Sequence, residues 1–375
     1  MTAPVRRVAI LSSVHPPFDT RIFQKQARSL AAGGYEVTLV VPHARDETVD
    51  GVRVRALPPA GSRVRRMLAG PPRVLREALR LRADVYHFHD PELIPVGLAL
   101  KALGKRVIYD VHEDVPKSIL GKTYLPPAAV RPLASTSRVV EQAASRAFDL
   151  IVLARDDIEE SFRGHPRTLL IRNYPSRAAF PEVARVDRGD GHFLVAYSGG
   201  LTAGRGAAQM LDALARVPER CRARLVIFGK FGPASLEAEM RAHPAFAKVD
   251  YRGWVPYESL PAQLVRADAG IVCFQPEPNN VNAGPTKLFE YMACGLPVVA
   301  SNFPMWREVI EGHHCGICVD PTDPDAIAAG LTRLADDPAG RRTMGENGRR
   351  AVLQVYNWEA EAERLLAAYE RLLAG

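Results

Sequence analysis

The chain has 375 residues, of which 47% are hydrophobic and 24% are charged, and these values are typical of a globular protein long enough for two domains. Its net charge of +7 suits anionic ligands of many kinds, but no basic stripe with interleaved aromatic residues is present, which argues against a nucleic-acid-binding protein. No apolar run approaches the roughly 20 residues that a membrane-spanning helix needs, and an odd number of cysteines suits a reducing compartment, so we expect a cytoplasmic protein.

The first half of the chain alternates short apolar runs with amphipathic stretches. The opening residues, MTAPVRRVAILSSV, contain an apolar run that is too short for a secretory signal and predicts a first strand. The runs EVTLVVP, DVYHFH, RVIYDVH and DLIVLA follow. Such continuous, β-branched runs are typical of parallel strands buried on both faces, and the helical stretches between them predict a doubly wound sheet.

The loop after the first strand, SSVHPPFDTRIF, places two charged side chains at the strand's carboxyl end, where sheets of this kind bind ligands. These side chains are Asp19 and Arg21. Two interpretations stay open for Arg21: contact with a phosphate or an acceptor, or a role at the start of the next helix.

The stretch RVRRMLAGPPRVLREALRLR contains seven arginines. On a helix, its apolar residues Val74, Leu75, Ala78 and Leu79 are predicted to face a core and to leave the arginines outside. Such a helix is either simply solvated or rests on anionic lipid at the inner face of a membrane.

Histidines and acids end the third and fourth apolar runs, YHFHDPE and YDVHEDVP. His87, His89 and His112, with Asp90, could suggest zinc. However, His87 and His89 are two apart on one face of a strand and have no helical H-x-x-x-H partner, so we expect no metal.

The same alternation resumes after residue 190 with HFLVAYSGG, RLVIFGK, AGIVCFQ and LPVVAS. Residues 173–191, rich in Pro, Gly and charge, predict a linker. We therefore predict an α/β protein with two Rossmann-like doubly wound domains, 1–180 and 190–355, facing a ligand cleft. The amphipathic residues 356–375 predict a C-terminal helix that packs on the first domain.

Two loops of the second half could hold an anion. AYSGGLTAGRGAAQML is a strand, a glycine-rich loop and a helix; its spacing does not match G-x-G-x-x-G, so it favours a phosphate cradle over a dinucleotide site. In NNVNAGPTKLFEYMACGLPVVAS, Lys287 and Glu290 are neighbours near a helix N-terminus, opposite a core side formed by Leu288, Phe289, Met292 and Ala293. Lys287 suits a diphosphate there and Glu290 suits the diol of a sugar, whereas an exposed ion pair is the alternative.

Two patterns resemble metal sites without predicting one. HHCGIC has two His and two Cys but no second cluster, and it predicts a turn and a strand. TDPD matches the D-x-D of metal-dependent transferases, but it opens a helix, where a capping Asp and a following Pro are ordinary.

PTKLFEYMACGLPVVAS with FPMWREVIEGHHCGICVDPTDPDAIAAGL resembles the donor-binding half of the retaining glycosyltransferases of family 4, which have the GT-B fold. HPPFDTRIFQKQARSLAAGGYEVTLVVP and HFHDPELIPVGLALKALGKRVIYDVHED resemble the acceptor half. The resemblance extends over nearly the whole chain.

On the donor side, the resemblance implies that Glu290 binds the nucleotide ribose and that Arg205 and Lys287 bind the diphosphate. Asn282 stands where the family has a second glutamate, and Gly200 stands where it has a further arginine, so the sugar contact of Asn282 is in doubt. The rest of the implied donor site consists of loop and helix-start residues: Gly199, Gly200, Gly284, Pro285 and Thr286.

On the acceptor side, His112 is implied to reach the transferred sugar and its phosphate. His89, Asp90 and Glu113, together with Asp19 and Arg21, are expected to shape the acceptor site, and His87 is expected to be structural.

The expected reaction is metal-independent, retaining transfer of a sugar from a UDP- or GDP-sugar to a hydroxyl acceptor, with no cofactor and with the leaving diphosphate helping to deprotonate the acceptor. A glycan, a lipid-linked compound or a small molecule could be that acceptor. Two alternatives stay open: a sugar-nucleotide epimerase or hydrolase on the same fold, and a non-catalytic sugar-nucleotide-binding protein.

Overall fold

The computed structural model describes residues 6–59, 62–120, 126–181 and 188–374, apart from the side chains of residues 63–65. The chain divides into two compact units. One comprises Met1–Asn173 with Glu359–Gly375, and the other comprises Tyr174–Trp358. Each unit is built around one sheet with helices on its faces.

The sheet of the first unit has eight strands in the order β3-β4-β2-β1-β5-β6-β7-β8. They are β1 (Arg7–Leu11), β2 (Glu36–Pro42), β3 (Glu47–Val49), β4 (Val52–Leu57), β5 (Val85–Phe88), β6 (Arg106–Val111), β7 (Leu150–Leu153) and β8 (Thr168–Leu170). The edge strand β3 runs antiparallel to β4, and the other neighbours are parallel.

The helices of this unit are α1 (Arg28–Ala32), α2 (Arg63–Leu81), α3 (Ile94–Ala102), α4 (Val115–Leu120), α5 (Pro127–Ser145) and α6 (Asp156–Glu159). A π-helical segment, Ile22–Ala27, leads directly into α1. The successive connections β4–α2–β5, β5–α3–β6 and β6–α4–α5–β7 all cross the sheet in the same direction. Because such crossovers are right-handed, α2, α3 and α5 lie on one face of the sheet.

The sheet of the second unit has six parallel strands in the order β11-β10-β9-β12-β13-β14. They are β9 (Phe193–Ser198), β10 (Ala223–Phe228), β11 (Val249–Gly253), β12 (Ala269–Val272), β13 (Val298–Ser301) and β14 (Gly316–Val319). Its helices are α7 (Ala207–Arg216), α8 (Ala234–Ala242), α9 (Leu260–Leu264), α10 (Pro278–Val281), α11 (Thr286–Ala293), α12 (Pro304–Gly312), α13 (Pro324–Asp336) and α14 (Pro338–Gln354).

The last helix, α15 (Trp358–Ala374), belongs to the first unit from Glu359 onward. Tyr369 is fully buried there, and its hydroxyl lies 2.8 Å from His87 Nδ1. A Cβ on Gly33 would come within 2.6 Å of Leu366 Cδ2, so a side chain larger than glycine would require the Leu366 side chain to shift.

The predicted fold class, two doubly wound parallel sheets, is confirmed. The apolar runs form strands because both faces of each sheet are covered, as in β1, where Val8–Leu11 are at most 1% exposed. One helix differs from the prediction, since Leu79 of α2 is 41% exposed and only Val74 and Ala78 of its predicted core face are fully buried. Residues 182–187 of the predicted linker lie outside the described residues.

Two further observations concern the chain as a whole. All five cysteines lie in the described ranges and are free thiols. Among the helices that the structure describes, none combines the length and apolar character that crossing a bilayer requires.

Candidate functional site

In the second unit, the loop after β9 turns sharply at a pair of glycines. Gly199 has φ +106°, a conformation that favours glycine, and its N–H donates to Phe228 O at 2.7 Å. A single 3₁₀ turn, Ala203–Arg205, then leads to Gly206 and α7. The Arg205 guanidinium folds back and donates from Nη1 to Gly200 O at 2.9 Å.

Lys287 enters the same place from α11. A Cβ on Gly199 would lie only 3.0 Å from Lys287 Nζ and 4.0 Å from Arg205 Nη1, so the two cations converge on this glycine. Lys287 is 8% exposed, its Nζ lies 3.9 Å from the centroid of the Tyr197 ring, and the described residues offer that nitrogen no hydrogen-bond partner.

The electrostatic consequence is a local excess of positive charge. Burial, and then the nearby Arg205, lower the pKa of Lys287 well below its ordinary value, and Glu290 only partly offsets them. A buried ammonium without a hydrogen-bonded partner is costly. An anion bound beside Gly199 would therefore be stabilised by both cations.

Glu290 lies one turn along α11 and is 6% exposed. Burial, and then the Glu290 charge, raise the pKa of Tyr257 well above its usual value and that of Cys294 to about 12, which places the carboxylate beside these two groups. The core side of this helix is wider than predicted. Lys287–Ala293 are all buried, and Tyr291 is fully buried, with its hydroxyl accepting from Ser198 N at 2.6 Å.

The donor loop that precedes α11 contacts the glycine loop through residues the sequence did not single out. Asn280 Nδ2 donates to Gly204 O at 2.9 Å, and a Cβ on Gly204 would meet the Glu277 carboxylate at 2.5 Å. Asn282 is exposed at the end of α10. Gly284 is exposed too, and a Cβ there would meet only Met305 at 3.8 Å, so the chain itself does not require glycine.

The helix start itself is partly accessible. Pro285 is the residue before the first turn of α11 and Thr286 is its first residue, and both are half-buried. Gly200 lies next to Arg205 Nη1, at 3.3 Å from a Cβ built on it. The predicted donor-side residues therefore fall into an inner pair, Lys287 and Glu290, and a more accessible loop.

In the first unit, the fully buried carboxylate of Asp110 forms the centre of a polar network. Arg21 donates to it from Nη2 at 3.0 and 3.1 Å, and Gln26 Nε2 donates to Oδ2 at 2.5 Å. The π-helical segment explains this convergence. Its backbone hydrogen bonds join residues five apart, as from Gln26 N to Arg21 O, and this brings the side chains of Arg21 and Gln26 onto one face. Burial opposes ionisation, yet the Arg21 charge lowers the pKa of Asp110 well below its usual range.

The Arg21 prediction needs correction. Its guanidinium is only 4% exposed and is engaged by Asp110 and by Ile171 O, so it does not present itself to a phosphate or an acceptor. Arg21 instead joins the start of the helix to Asp110 and to Ile171 O. A role at the helix start is the alternative that the sequence left open.

Three histidines line the other side of Asp110. His87 and His89 stack at 4.7 Å between ring centroids, and His89 Nδ1 lies 3.0 Å from His112 Nε2. His89 is 2% exposed, so it shapes this site by supporting His112 rather than by facing a ligand itself. Burial lowers the pKa of His89 well below its ordinary value and that of His112 to about 4, so both rings are neutral at neutral pH.

His87, His89 and Asp110 form a group with the spacing of metal ligands, and ligand atoms from all three lie within 4.8 Å of one another. The donor set does not fit a cation. The Asp110 oxygens already accept from Arg21 and Gln26, and a guanidinium 3.0 Å away would repel a metal ion. His87 also bonds to the Tyr369 hydroxyl, which makes it structural.

His15, which the sequence interpretation overlooked, lies between two carboxylates. Its Nδ1 is 3.5 Å from Asp19 Oδ2 and its Nε2 is 3.5 Å from Asp90 Oδ1, while its ring centroid is 4.9 Å from that of His112. Burial opposes protonation, but Asp19 and Asp90 outweigh it and raise the pKa of His15. The motif HPPFD carried a signal, a histidine and an acid four residues apart after a strand.

Asp19 and Asp90 each have a second task. Asp19 Oδ1 accepts from the N–H groups of Arg21 and Ile22 at 2.9 Å and begins the helix, and its pKa is lowered to about 2 because these bonds and His15 outweigh burial. Asp90 is 3% exposed, and its Oδ2 accepts from Ser12 Oγ and Ser13 N. Glu113, also predicted on the acceptor side, is exposed.

The two sequence patterns that resemble metal sites, TDPD and HHCGIC, have structural roles. Asp323 caps α13 by accepting from Asp325 N at 2.9 Å, so TDPD is a helix start. His314 adopts φ +50° in a turn, Cys315 is fully buried, and β14 follows directly.

Comparison with known proteins shows which families the two halves of the chain match. Residues 20–173 match the glycosyl transferase 4-like domain, and residues 182–351 match the glycosyl transferases group 1. A curated relative is the MMP alpha-(1->4)-mannosyltransferase of Mycolicibacterium hassiacum, 30% identical over 172 residues, which are 45% of this chain and only 41% of that protein's length.

Solved structures agree on the fold. Sucrose-phosphate synthase from Thermosynechococcus elongatus has a TM-score of 0.79 at 20% identity, covering 98% of this chain and 99% of that one. Anabaena HepE in complex with UDP-glucose has a TM-score of 0.72 at 15% identity, covering 97% and 99%. Since the two family matches together account for most of the sequence, the chain belongs to the group 1 glycosyltransferases, with a family 4-like first half.

Proposed function

We propose that the protein transfers a sugar from a nucleotide-diphosphate sugar, a UDP- or GDP-sugar, to a hydroxyl acceptor. One observation carries this proposal: the buried Lys287 Nζ converges with Arg205 on Gly199 and has no hydrogen-bond partner among the described residues. Two cations beside a glycine turn suit a diphosphate, which offers several acceptor oxygens in a small volume.

Each donor group then has a receiving group. The diphosphate lies against Gly199 and Gly200, where Lys287 and Arg205 stabilise the charge that develops as the sugar leaves. Glu290 accepts hydrogen bonds from the ribose diol. His112 is neutral, so it hydrogen-bonds a sugar hydroxyl through Nδ1 but adds no charge to the phosphates.

The retaining course and the metal independence rest on the family resemblance and on the choice of cations. In that course the leaving diphosphate helps to deprotonate the acceptor, so the protein's task is positioning and charge stabilisation. The side chains described around Gly199 that neutralise the diphosphate are an ammonium and a guanidinium, which leaves no need for a divalent ion or other cofactor there.

A screen of UDP-, GDP-, ADP- and dTDP-sugars by calorimetry tests donor binding, followed by product analysis with and without acceptors. We expect one base to bind well, the nucleoside diphosphate to be released on transfer, and the α-configured donor to give an α-linked product, with activity kept in EDTA. Loss of activity in EDTA with rescue by Mn²⁺ would contradict metal independence. Donor turnover in the absence of any acceptor would favour the hydrolase or epimerase, and binding without turnover would favour a sensor.

We also propose that the first unit rests on anionic lipid. Met67 and Leu68 on α2 are 50% and 74% exposed, and Val139 on α5 is 66% exposed. These helices lie on one face of the sheet, where exposed Arg131 and Arg138 add positive charge. Apolar side chains among arginines are typical of a surface that binds anionic bilayers, and this would place the protein at the inner face of a membrane.

Flotation with vesicles of neutral lipid and of neutral lipid with about one third phosphatidylglycerol tests this contact. We expect binding to the anionic vesicles only, weakened in Leu68→Glu. Leu353, 39% exposed on α14 of the second unit, gives the matched control Leu353→Glu. If Leu68→Glu and Leu353→Glu bind anionic vesicles equally well, or if the wild type does not bind them, the surface formed by α2 and α5 does not contact anionic lipid.

A further inference from the structure

The surroundings of His15 constrain the chemistry of the acceptor. We define the His15 cluster as His15, Asp19, Asp90 and His112. All four lie after the carboxyl ends of the neighbouring strands β1, β5 and β6, within one unit of the chain. His15 and His112 are 26% and 21% exposed, so both rings are partly accessible from outside.

The charges around this cluster are unevenly balanced. Its own carboxylates are joined by two nearby ones, Glu92, bonded to Ser13 Oγ at 2.8 Å, and the buried Asp110. Two guanidiniums oppose them: Arg21 is paired with Asp110, and Arg66 with Glu92 at 3.0 Å. Four carboxylates thus face two guanidiniums and one imidazole, so the net charge is one negative when His15 is protonated and two when it is neutral.

The neighbouring cations are committed elsewhere. Lys25 Nζ donates to Asn173 Oδ1 at 2.5 Å, and Lys117 Nζ lies 3.4 Å from Asp114 Oδ2. His89 and His112 carry no charge at neutral pH. In the second unit, by contrast, the charged groups that converge on Gly199 are the cations of Lys287 and Arg205.

A carboxylate-rich site of this kind accepts hydrogen bonds from hydroxyls and repels phosphate. Asp19 Oδ2 is the oxygen best placed for this, because Oδ1 is occupied by the helix start and the carboxylate is 23% exposed. His15 lies between Asp19 and Asp90, with each ring nitrogen 3.5 Å from a carboxylate oxygen, so its charge when protonated is already compensated.

We propose that the His15 cluster receives an uncharged, hydroxyl-rich acceptor, such as a sugar or a polyol, and that Asp19 with His15 excludes acceptors that carry a phosphate beside the reacting hydroxyl. This inference rests on the proposed transfer reaction and specifies its acceptor class. Asp90 is a positioning residue in this scheme, since it acts through His15 and the Ser12–Ser13 backbone.

Matched acceptor pairs test the proposal in the intact enzyme with its best donor: glucose against glucose 6-phosphate, and myo-inositol against inositol 1-phosphate. We expect kcat/KM to be at least about tenfold higher for the neutral member of each pair. Asp19→Asn keeps a side-chain oxygen that can accept hydrogen bonds at the helix start. It should lower the ratio of kcat/KM between the neutral and the phosphorylated acceptor about fivefold. The control Asp50→Asn, at an exposed turn beside Arg28, should leave it unchanged. A preference for the phosphorylated members would overturn the proposal.

A second measurement does not depend on turnover. The C2–H signals of the histidines, assigned with His15→Asn, are followed by NMR while inorganic phosphate is added to about 20 mM at constant ionic strength and pH. We expect no saturable shift of the His15 signal, and a saturable shift would mean that the cluster binds phosphate. If nucleotides fail to bind the second unit, the proposed function fails, and this titration still decides the charge preference of the cluster.

Discussion

Arg21 in the first unit and Lys287 in the second are both buried cations at the start of a helix, with 4% and 8% of their surface exposed. The Arg21 guanidinium donates to Asp110 at 3.0 Å, whereas Lys287 Nζ has an aromatic ring and a glycine for neighbours. Their similar burial therefore hides different surroundings. A cation matched by its own chain stabilises the fold, and one left without a hydrogen bond is suited to an external anion.

The largest expected effect is on the free energy of unfolding, which should depend on the partner of Arg21 and hardly at all on Lys287. Asp110→Asn leaves Arg21 buried and uncompensated, and breaking such a pair typically costs about 3–5 kcal/mol. Lys287→Met removes a desolvated charge and should change the free energy of unfolding by about 1 kcal/mol or less. Urea unfolding followed by signals from each unit would measure both.

Asp50→Asn is the surface control for Asp110→Asn, because Asp50 is 52% exposed beside Arg28. A loss as large in Lys287→Met as in Asp110→Asn would contradict the comparison, since it would make the lysine a structural residue.

The next effect concerns Glu290. Glu290→Gln should weaken binding of the donor by about 2 kcal/mol with the fold intact, because a charged acceptor of the ribose diol becomes neutral. Calorimetry with the nucleoside, which has the ribose diol, and with the 2′-deoxynucleoside, which lacks it, would measure this loss of binding free energy. If the variant binds both as the wild type does, Glu290 does not contact the ribose.

A smaller expected effect is the uptake of a proton when the nucleoside diphosphate binds. Burial and Arg205 lower the pKa of Lys287 in the free protein, and a diphosphate would raise it again by favouring the charged form. Above the pKa of the free protein, binding of the nucleoside diphosphate should therefore take up as much as about one proton, and far below that pKa it should take up none. Titrations in buffers of different ionisation enthalpy count these protons. Uptake that persists in Lys287→Met would assign the proton to another group.

The fold could be predicted well because it depends on patterns along the chain. Continuous β-branched runs such as EVTLVVP correspond to β2, and LPVVAS corresponds to β13. The edge strand β14 was predicted from HHCGIC, but other short edge strands were not. One of them, β3, spans Glu47–Val49 and owes its pairing to the turn at Asp50 and Gly51, a contact that periodicity does not encode.

The candidate site was predictable in part. Helix spacing made Lys287 and Glu290 neighbours, but it predicted too narrow a core side for α11, since Tyr291 fills the space over Gly270, where a Cβ would meet its ring at 2.2 Å. His15 was overlooked although its spacing from Asp19 was a signal, and Asp110 was overlooked because its importance comes from strand register. The pairing of Phe88 with Tyr109 sets His89 next to Asp110, and no sequence spacing shows this.

The central claim is that Lys287 and Arg205 bind a diphosphate, and calorimetric titration of Lys287→Ala and Arg205→Ala with the nucleoside diphosphate and with the nucleoside tests it most directly. Each cation should contribute a charge-assisted hydrogen bond of about 1.5–3 kcal/mol, so each variant should raise the Kd of the diphosphate roughly tenfold to a hundredfold and barely change that of the nucleoside. Equal losses for both ligands would contradict the claim and would mean that these residues support the loop instead of binding phosphate.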